Sequence, residues 1–178
     1  YNGIKIMQMR EKAIHNFNKI FAKMYAEVSG IENVVIDYSP SWKCDSVDSV
    51  MKILSEKRDI DIQMNTCMSG PHRDRIRFSR NGVLFIPRAS TGQRRLLSLL
   101  LRSAQAYFYT DSTGGNLPVL LMDDVLLELD PDKRQRFNSL LPNYDQLFCT
   151  FLPGEPFERY KKSTTKIYSI QGGKWYVS

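Results

Sequence analysis

The stretch that most limits what this chain can become is Pro118-Val119-Leu120-Leu121-Met122, followed at once by Asp123-Asp124. An apolar run without alternation is the pattern of a strand covered on both faces, as in the middle of a parallel sheet. A leucine-rich helix precedes it over Gln93 to Tyr109, with Leu97, Leu100, Leu101, Ala104 and Phe108 on a broad apolar face. A helix over 132–141 and a second apolar strand over Gln146 to Phe151 follow. Helix, buried strand, helix, buried strand predicts an α/β sandwich with parallel strands.

The N-terminal third has a different texture. Met7, Ile14, Phe17, Phe21, Met24 and Val28 keep a helical period, which predicts an amphipathic helix over 4–28 stopped by Gly30. Asn33 to Tyr38 reads as a strand before the breaker Ser39-Pro40-Ser41, and 46–58 as a second helix started by Asp45 or Ser46. From residue 60 short strands take over, at Ile60 to Thr66, Arg75 to Ser79 and Val83 to Ile86. The Asn81-Gly82 pair predicts that the last two form a hairpin, since both residues of such a turn need positive φ. Lys166 to Val177 predicts a terminal hairpin turning at Gly172-Gly173. The change of texture divides the chain into 1–59 and 60–178.

With 178 residues, the chain is large enough to bury roughly 70% of its unfolded surface, whether as one domain or as two lobes sharing a core. No apolar run reaches the roughly 18 to 20 residues of a membrane-spanning helix. Cys44, Cys67 and Cys149 are widely spaced and odd in number, which argues against a disulfide framework or a zinc site and for a reducing, cytoplasmic setting. Beginning at Tyr1 with no methionine and no secretion signal, the sequence reads as a segment of a longer product. The net charge of +6 is concentrated, because Arg73, Arg75, Arg77, Arg80, Arg88, Arg94 and Arg95 face a single nearby acid, Asp74. Guanidinium forks pair with phosphate oxygens and release counterions, which suits nucleic acid. The alternation of Arg73, Arg75 and Arg77 equally describes the solvated side of a strand.

Asp123 and Asp124 stand where open α/β sheets bind ligands, beyond the carboxyl ends of strands. Hard Mg²⁺ takes oxygen ligands, commonly one carboxylate with waters and substrate phosphates, and a second carboxylate can polarise an attacking water. The same pair is also an ordinary turn or helix cap. Ala89-Ser90-Thr91-Gly92-Gln93 opens the leucine-rich helix with a hydroxyl, a glycine that permits close approach and unpaired helix amides, the makings of an anion site. Ser90 or Thr91 reads as a plain N-cap just as well. His72 is read as a hydrogen-bonded structural residue, and Lys161-Lys162 as solvated surface. Leu152-Pro153-Gly154-Glu155 holds no histidine that could sense a phosphate.

Taken in order, these elements are more specific than any one alone. Ser-Thr-Gly-Gln opening a helix, a strand ending in Asp123-Asp124, then Glu128-Leu129-Asp130 resembles the signature, Walker B and D-loop of the ATP-binding-cassette superfamily. Gly70-Pro71-His72-Arg73-Asp74 and the Asn81-Gly82 turn narrow the resemblance to the RecF branch, over Gly70 to Asp130. The resemblance implies the C-terminal part of an ABC-type P-loop NTPase head (lobe I) over 60–178, with 1–59 a helical segment of lobe II carrying one short strand. It implies that Ser90, Thr91, Gly92 and Gln93 touch the γ-phosphate of ATP held by a partner subunit, that Asp123 holds Mg²⁺, and that Asp130 is the D-loop acid at a dimer seam. Asp124 stands where the superfamily usually has its catalytic glutamate.

The implied partners are DNA at single-strand gaps and junctions, RecR and RecO, and a second copy in an ATP-dependent homodimer, with Arg73, Arg75 and Arg77 as candidate DNA contacts. Two residues depart from the pattern: Leu127 stands where serine is more common, and Arg75 where a second acid is common. No Gly-x-x-x-x-Gly-Lys-[Ser/Thr] occurs, so the chain by itself is expected to hold ATP weakly. Two other readings remain open: another head of the same superfamily, such as an SMC-type chromosome protein, or a non-enzymatic DNA-binding module. Long heptad arms would mark the first, and a missing upstream P-loop the second.

Overall fold

The computed structural model describes residues 1–124, 129–154 and 157–177, apart from the Arg159 side chain. Helix α1 spans Asn2–Ser29 and ends at Gly30, whose left-handed φ of 72° lets its N–H return to the carbonyl of Ala26. There follow β1 (Val34–Ser39), α2 (Val47–Gln63), β2 (Arg75–Arg80), β3 (Val83–Leu84), α3 (Thr91–Ser112), β4 (Val119–Met122), α4 (Pro131–Ser139), β5 (Gln146–Cys149), β6 (Tyr168–Gln171) and β7 (Lys174–Val177). Among the described residues these strands make an antiparallel β1-β2-β3 sheet, a parallel β4-β5 pair and an antiparallel β6-β7 pair. The hairpin forms where Asn-Gly predicts it, with φ of 51° at Asn81 and 76° at Gly82.

Two expectations are overturned, and a third is not met within the described residues. Ile60 to Thr66 is not a strand: α2 runs on to Gln63, and Ile60 and Ile62 are 52% and 67% exposed on it. Two isoleucines around one aspartate alternate for too short a distance to outweigh a helix already begun by its Ser46 cap. Arg73 does not share a strand face with Arg75 and Arg77, because it lies in the 3₁₀ turn Pro71–Arg73 that precedes β2. The described residues do not by themselves supply the double cover foreseen for the apolar strands, since Leu121 of β4 and Phe148 of β5 are 76% and 56% exposed. Only Met122 of β4 reaches the core.

That core is built where α1 lies on α3. Phe17 of α1 meets Phe108 of α3 with ring centroids 5.9 Å apart, and Phe21 meets Phe78 of β2 at the same distance. Tyr25 meets Phe85 edge-on at 5.7 Å. Leu96, Leu97, Leu100 and Ala104 of α3 fill the space between, joined by Val34, Met122 and Phe137. A smaller cluster of Ile4, Met7, Trp42 and Val50 seats α2 against the start of α1. Among the described residues no helix is long and apolar enough to cross a membrane.

Asn18 fastens α1 to the sheet by a different means. Its side-chain amide donates to the carbonyl of Ile36 and its amide oxygen accepts the Ile36 N–H, both at 2.8 Å. Ile36 is buried, so both backbone groups need partners out of water. Asn18→Ala is therefore expected to cost about 1–3 kcal/mol in urea unfolding, the penalty of leaving buried amide groups unsatisfied; an unchanged midpoint and slope would refute this.

Candidate functional site

The two acids stand where β4 and β5 end together. The parallel register from Val119↔Gln146 to Met122↔Cys149 carries on one residue further, where the Thr150 N–H donates to the Met122 carbonyl at 3.0 Å. This places the Thr150 hydroxyl between the acids: it donates to Asp123 Oδ1 at 2.6 Å and accepts the Asp124 N–H at 3.0 Å. Asp124 has a left-handed φ of 49°, a conformation that Asp and Asn tolerate better than other residues with a side chain. Arg95, Ser98 and Arg102 of α3 and Leu129 form the other wall of a cleft of 440 Å³ that both acids line.

Among the described residues no three His, Cys, Asp or Glu side chains gather as a metal cluster. The donors available are two exposed carboxylates and a hydroxyl, all hard oxygens, which suits a cation that completes its shell with water and substrate phosphate. Mg²⁺ fits that donor set better than a metal preferring nitrogen or sulfur.

Ser90 is the N-cap of α3 and forms a full capping box. Its Oγ accepts the Gln93 N–H at 3.2 Å, while Gln93 Oε1 accepts the Ser90 N–H at 2.8 Å. Gly92 lies in the first helical turn, and a Cβ built on it would meet nothing within 4 Å. Nothing inside the fold asks for glycine there, although glycine weakens a helix. Among the described residues, Ser90, Thr91, Gly92 and Gln93 do not line the acid cleft. Arg95, Ser98 and Arg102 of α3 thus line the acid cleft, and the residues of its capping box do not.

Asp130 caps α4, accepting the Lys133 N–H at 3.0 Å and pairing with the Lys133 ammonium. The Lys133 side chain, then its backbone N–H, holds this carboxyl below the usual range. Leu127, Glu128 and Glu155 lie outside the described residues. Arg73 is committed locally, donating to the Cys67 carbonyl at 2.9 Å and to Thr66 Oγ1 at 3.0 Å, whereas Arg75 and Arg77 are exposed on β2. His72 Nε2 also donates to the Cys67 carbonyl, at 3.0 Å, the structural role its position predicts.

Sequence reasoning missed two features here. One is Thr150. The other is the setting of Asp74, whose side chain is 4% exposed and accepts from Arg10 at 2.7 Å, the Tyr38 hydroxyl at 2.6 Å and the Ser41 N–H at 2.8 Å. Arg10 and Tyr38 lie 64 and 36 residues away, so no local pattern announces them. Burial alone would raise the Asp74 carboxyl, but the bonds from Tyr38, Ser41 and Arg10 outweigh it and hold the group below its ordinary value. Tyr38 is pushed up to about 12, by burial first and then by the adjacent carboxylate.

No family model matches the chain. Over 171 residues, 96% of its length, it is 54% identical to the DNA replication and repair protein RecF of Treponema pallidum (strain Nichols), of which it spans 48%. This chain belongs to the RecF family. It is 31% identical over 179 aligned positions to the RecF of Gloeothece citriformis (strain PCC 7424), covering 97% of this chain and 46% of that protein. A solved structure of the recombination mediator protein RecF with ATP, in the RecFOR pathway, matches with a TM-score of 0.74 at 22% identity and shares its α/β fold over 99% of this chain and 47% of that one. The chain therefore spans about half the length of the RecF relatives it matches.

Because the folded Asp74 carboxyl lies below its ordinary 3.8, its contribution to stability is complete well above that value and is lost as pH falls through the folded pKa. Asp74→Asn is expected to lower stability at neutral pH and to flatten acid unfolding below pH 3.8, measured as urea midpoints against pH. An acid limb as steep as that of the unmodified protein would contradict this.

Proposed function

We propose that this chain is the C-terminal half of an ATP-dependent DNA-binding protein of replication and recombinational repair, acting at single-strand gaps to promote recombinase loading. The observation that carries the reading is the separation just described. A helix start with a glycine that the fold does not need lies outside the lining of the cleft that holds an acid pair at the ends of two parallel strands. A symmetric dimer resolves this arrangement, since each helix start then meets the nucleotide held at the other subunit's acids.

In that arrangement Ser90, Thr91, Gly92 and Gln93 act on the partner's γ-phosphate. The Ser90 Oγ already accepts an N–H and can still donate its proton outward, and Gly92 lets a phosphate approach the helix amides. Asp123 would hold Mg²⁺, directly or through water, and the bound cation would supply charge to offset that of the phosphates. Asp124 accepts a hydrogen bond from the water that attacks the terminal phosphate. Asp130, already bound to Lys133, contributes to the dimer seam through its position at the start of α4. Arg75 and Arg77 are the favoured DNA contacts, with Arg73 less available.

In the same reading residues 1–59 belong to lobe II and 60–178 to lobe I of the ATPase head. RecR and RecO are its partners, and the cytoplasm its location. Two substitutions in the full-length protein test the proposal. Asp124→Asn should lower ATP turnover by about 10²- to 10⁴-fold, the usual share of a general base, with ATP affinity nearly kept. Turnover at the wild-type rate would remove Asp124 from the chemistry. Gly92→Ala should leave the fold as stable or up to about 1 kcal/mol more stable, yet abolish ATP-dependent dimerisation and hydrolysis. Mixing Gly92→Ala with Asp124→Asn protein should recover activity that neither has alone, because one composite site of the mixed dimer is intact.

A further inference from the structure

Thr150 touches both acids and belongs to none of the motifs read from the sequence. We infer that Thr150 is a positioning residue that sets how Asp123 and Asp124 present their carboxylates; this rests on the ATPase reading above.

The hydrogen-bond directions are fixed by chemistry. The Asp124 N–H can only donate, so the Thr150 oxygen accepts it at 3.0 Å. The single hydroxyl proton then goes to Asp123 Oδ1 at 2.6 Å, a charge-assisted length, and not to Asp124 Oδ1 at 3.4 Å. With Oδ1 engaged, the Asp123 carboxylate is fixed in rotation and Oδ2 is the oxygen turned over to a cation or its water. The bond to the Asp124 N–H holds a left-handed residue that a free strand end would release.

Thr150 is itself pinned. Its N–H donates to Met122 at 3.0 Å, so the hydroxyl takes its place from the β4-β5 ladder, and branching at Cβ leaves the side chain few rotamers. One residue thereby transmits the strand register to both carboxylates. Valine keeps the shape and removes both hydroxyl bonds, whereas serine keeps the bonds.

The test uses the full-length protein with Thr150→Val, Thr150→Ser and Asp124→Asn. It reads Mn²⁺ affinity by electron paramagnetic resonance in the presence of a non-hydrolysable ATP analogue, kcat and KM for ATP, and the melting temperature. Thr150→Val should weaken Mn²⁺ binding and lower kcat by about 10- to 100-fold, as loss of a partner behind a metal ligand does, with KM for ATP and melting temperature little changed. Thr150→Ser should recover most of both. Wild-type Mn²⁺ affinity and turnover in Thr150→Val beside an inactive Asp124→Asn overturns the Thr150 role alone. Wild-type turnover in both variants overturns the ATPase reading and this inference with it. If Thr150→Val melts early, Thr150→Ala replaces it: a folded Ala protein with weakened Mn²⁺ binding supports the role, and one with wild-type affinity overturns it.

Discussion

The contact between α1 and α3 is the interaction on which the rest of the molecule depends. Phe17 against Phe108, and Phe21 and Tyr25 among Phe78 and Phe85, set the N-terminal helix onto the one that begins at Thr91. The hydrophobic cost of exposing these rings far exceeds that of any hydrogen bond nearby, so the aromatic seam decides where α3 points. Once α3 is placed, its capping box and its Arg95, Ser98 and Arg102 flank are placed with it. One packing event therefore orients two chemically unlike surfaces.

Much of this was legible in the sequence because it rests on local rules. The stripe from Met7 to Val28, the stop at Gly30, the Asn81-Gly82 hairpin and the start of α3 at Ser90 depend on periodicity, left-handed glycine or capping, each contained in a few neighbouring residues. The parallel pairing of β4 and β5 followed from their apolar runs. What escaped was non-local or depended on length. The alternation of Ile60-Asp61-Ile62 predicts a strand only when it is taken apart from the helix that runs into it. Thr150 lies 27 residues from Asp123, and Arg10 lies 64 from Asp74, so neither partnership leaves a trace in any window of the chain.

The polar residues also show why motif and cap were hard to separate beforehand. Ser90 and Asp130 each satisfy backbone N–H groups at a helix start, and Thr150 does so for Asp124 at a strand end. A residue that satisfies its own backbone is held in one orientation, and a held side chain is what binding and catalysis need. Capping and function are the same geometry seen from inside and from outside the chain.

The Asn18 amide has a consequence for association. Strand β1 is an edge of its sheet, and an edge strand normally offers its outer N–H and C=O to any strand that passes. Here the outer donor and acceptor of Ile36 are already taken by a side chain of the molecule's own helix. A strand arriving at β1 from another molecule would find the middle of that edge occupied. The edge of β1 is thus closed at its centre by one side chain of the same molecule, before any other strand is met.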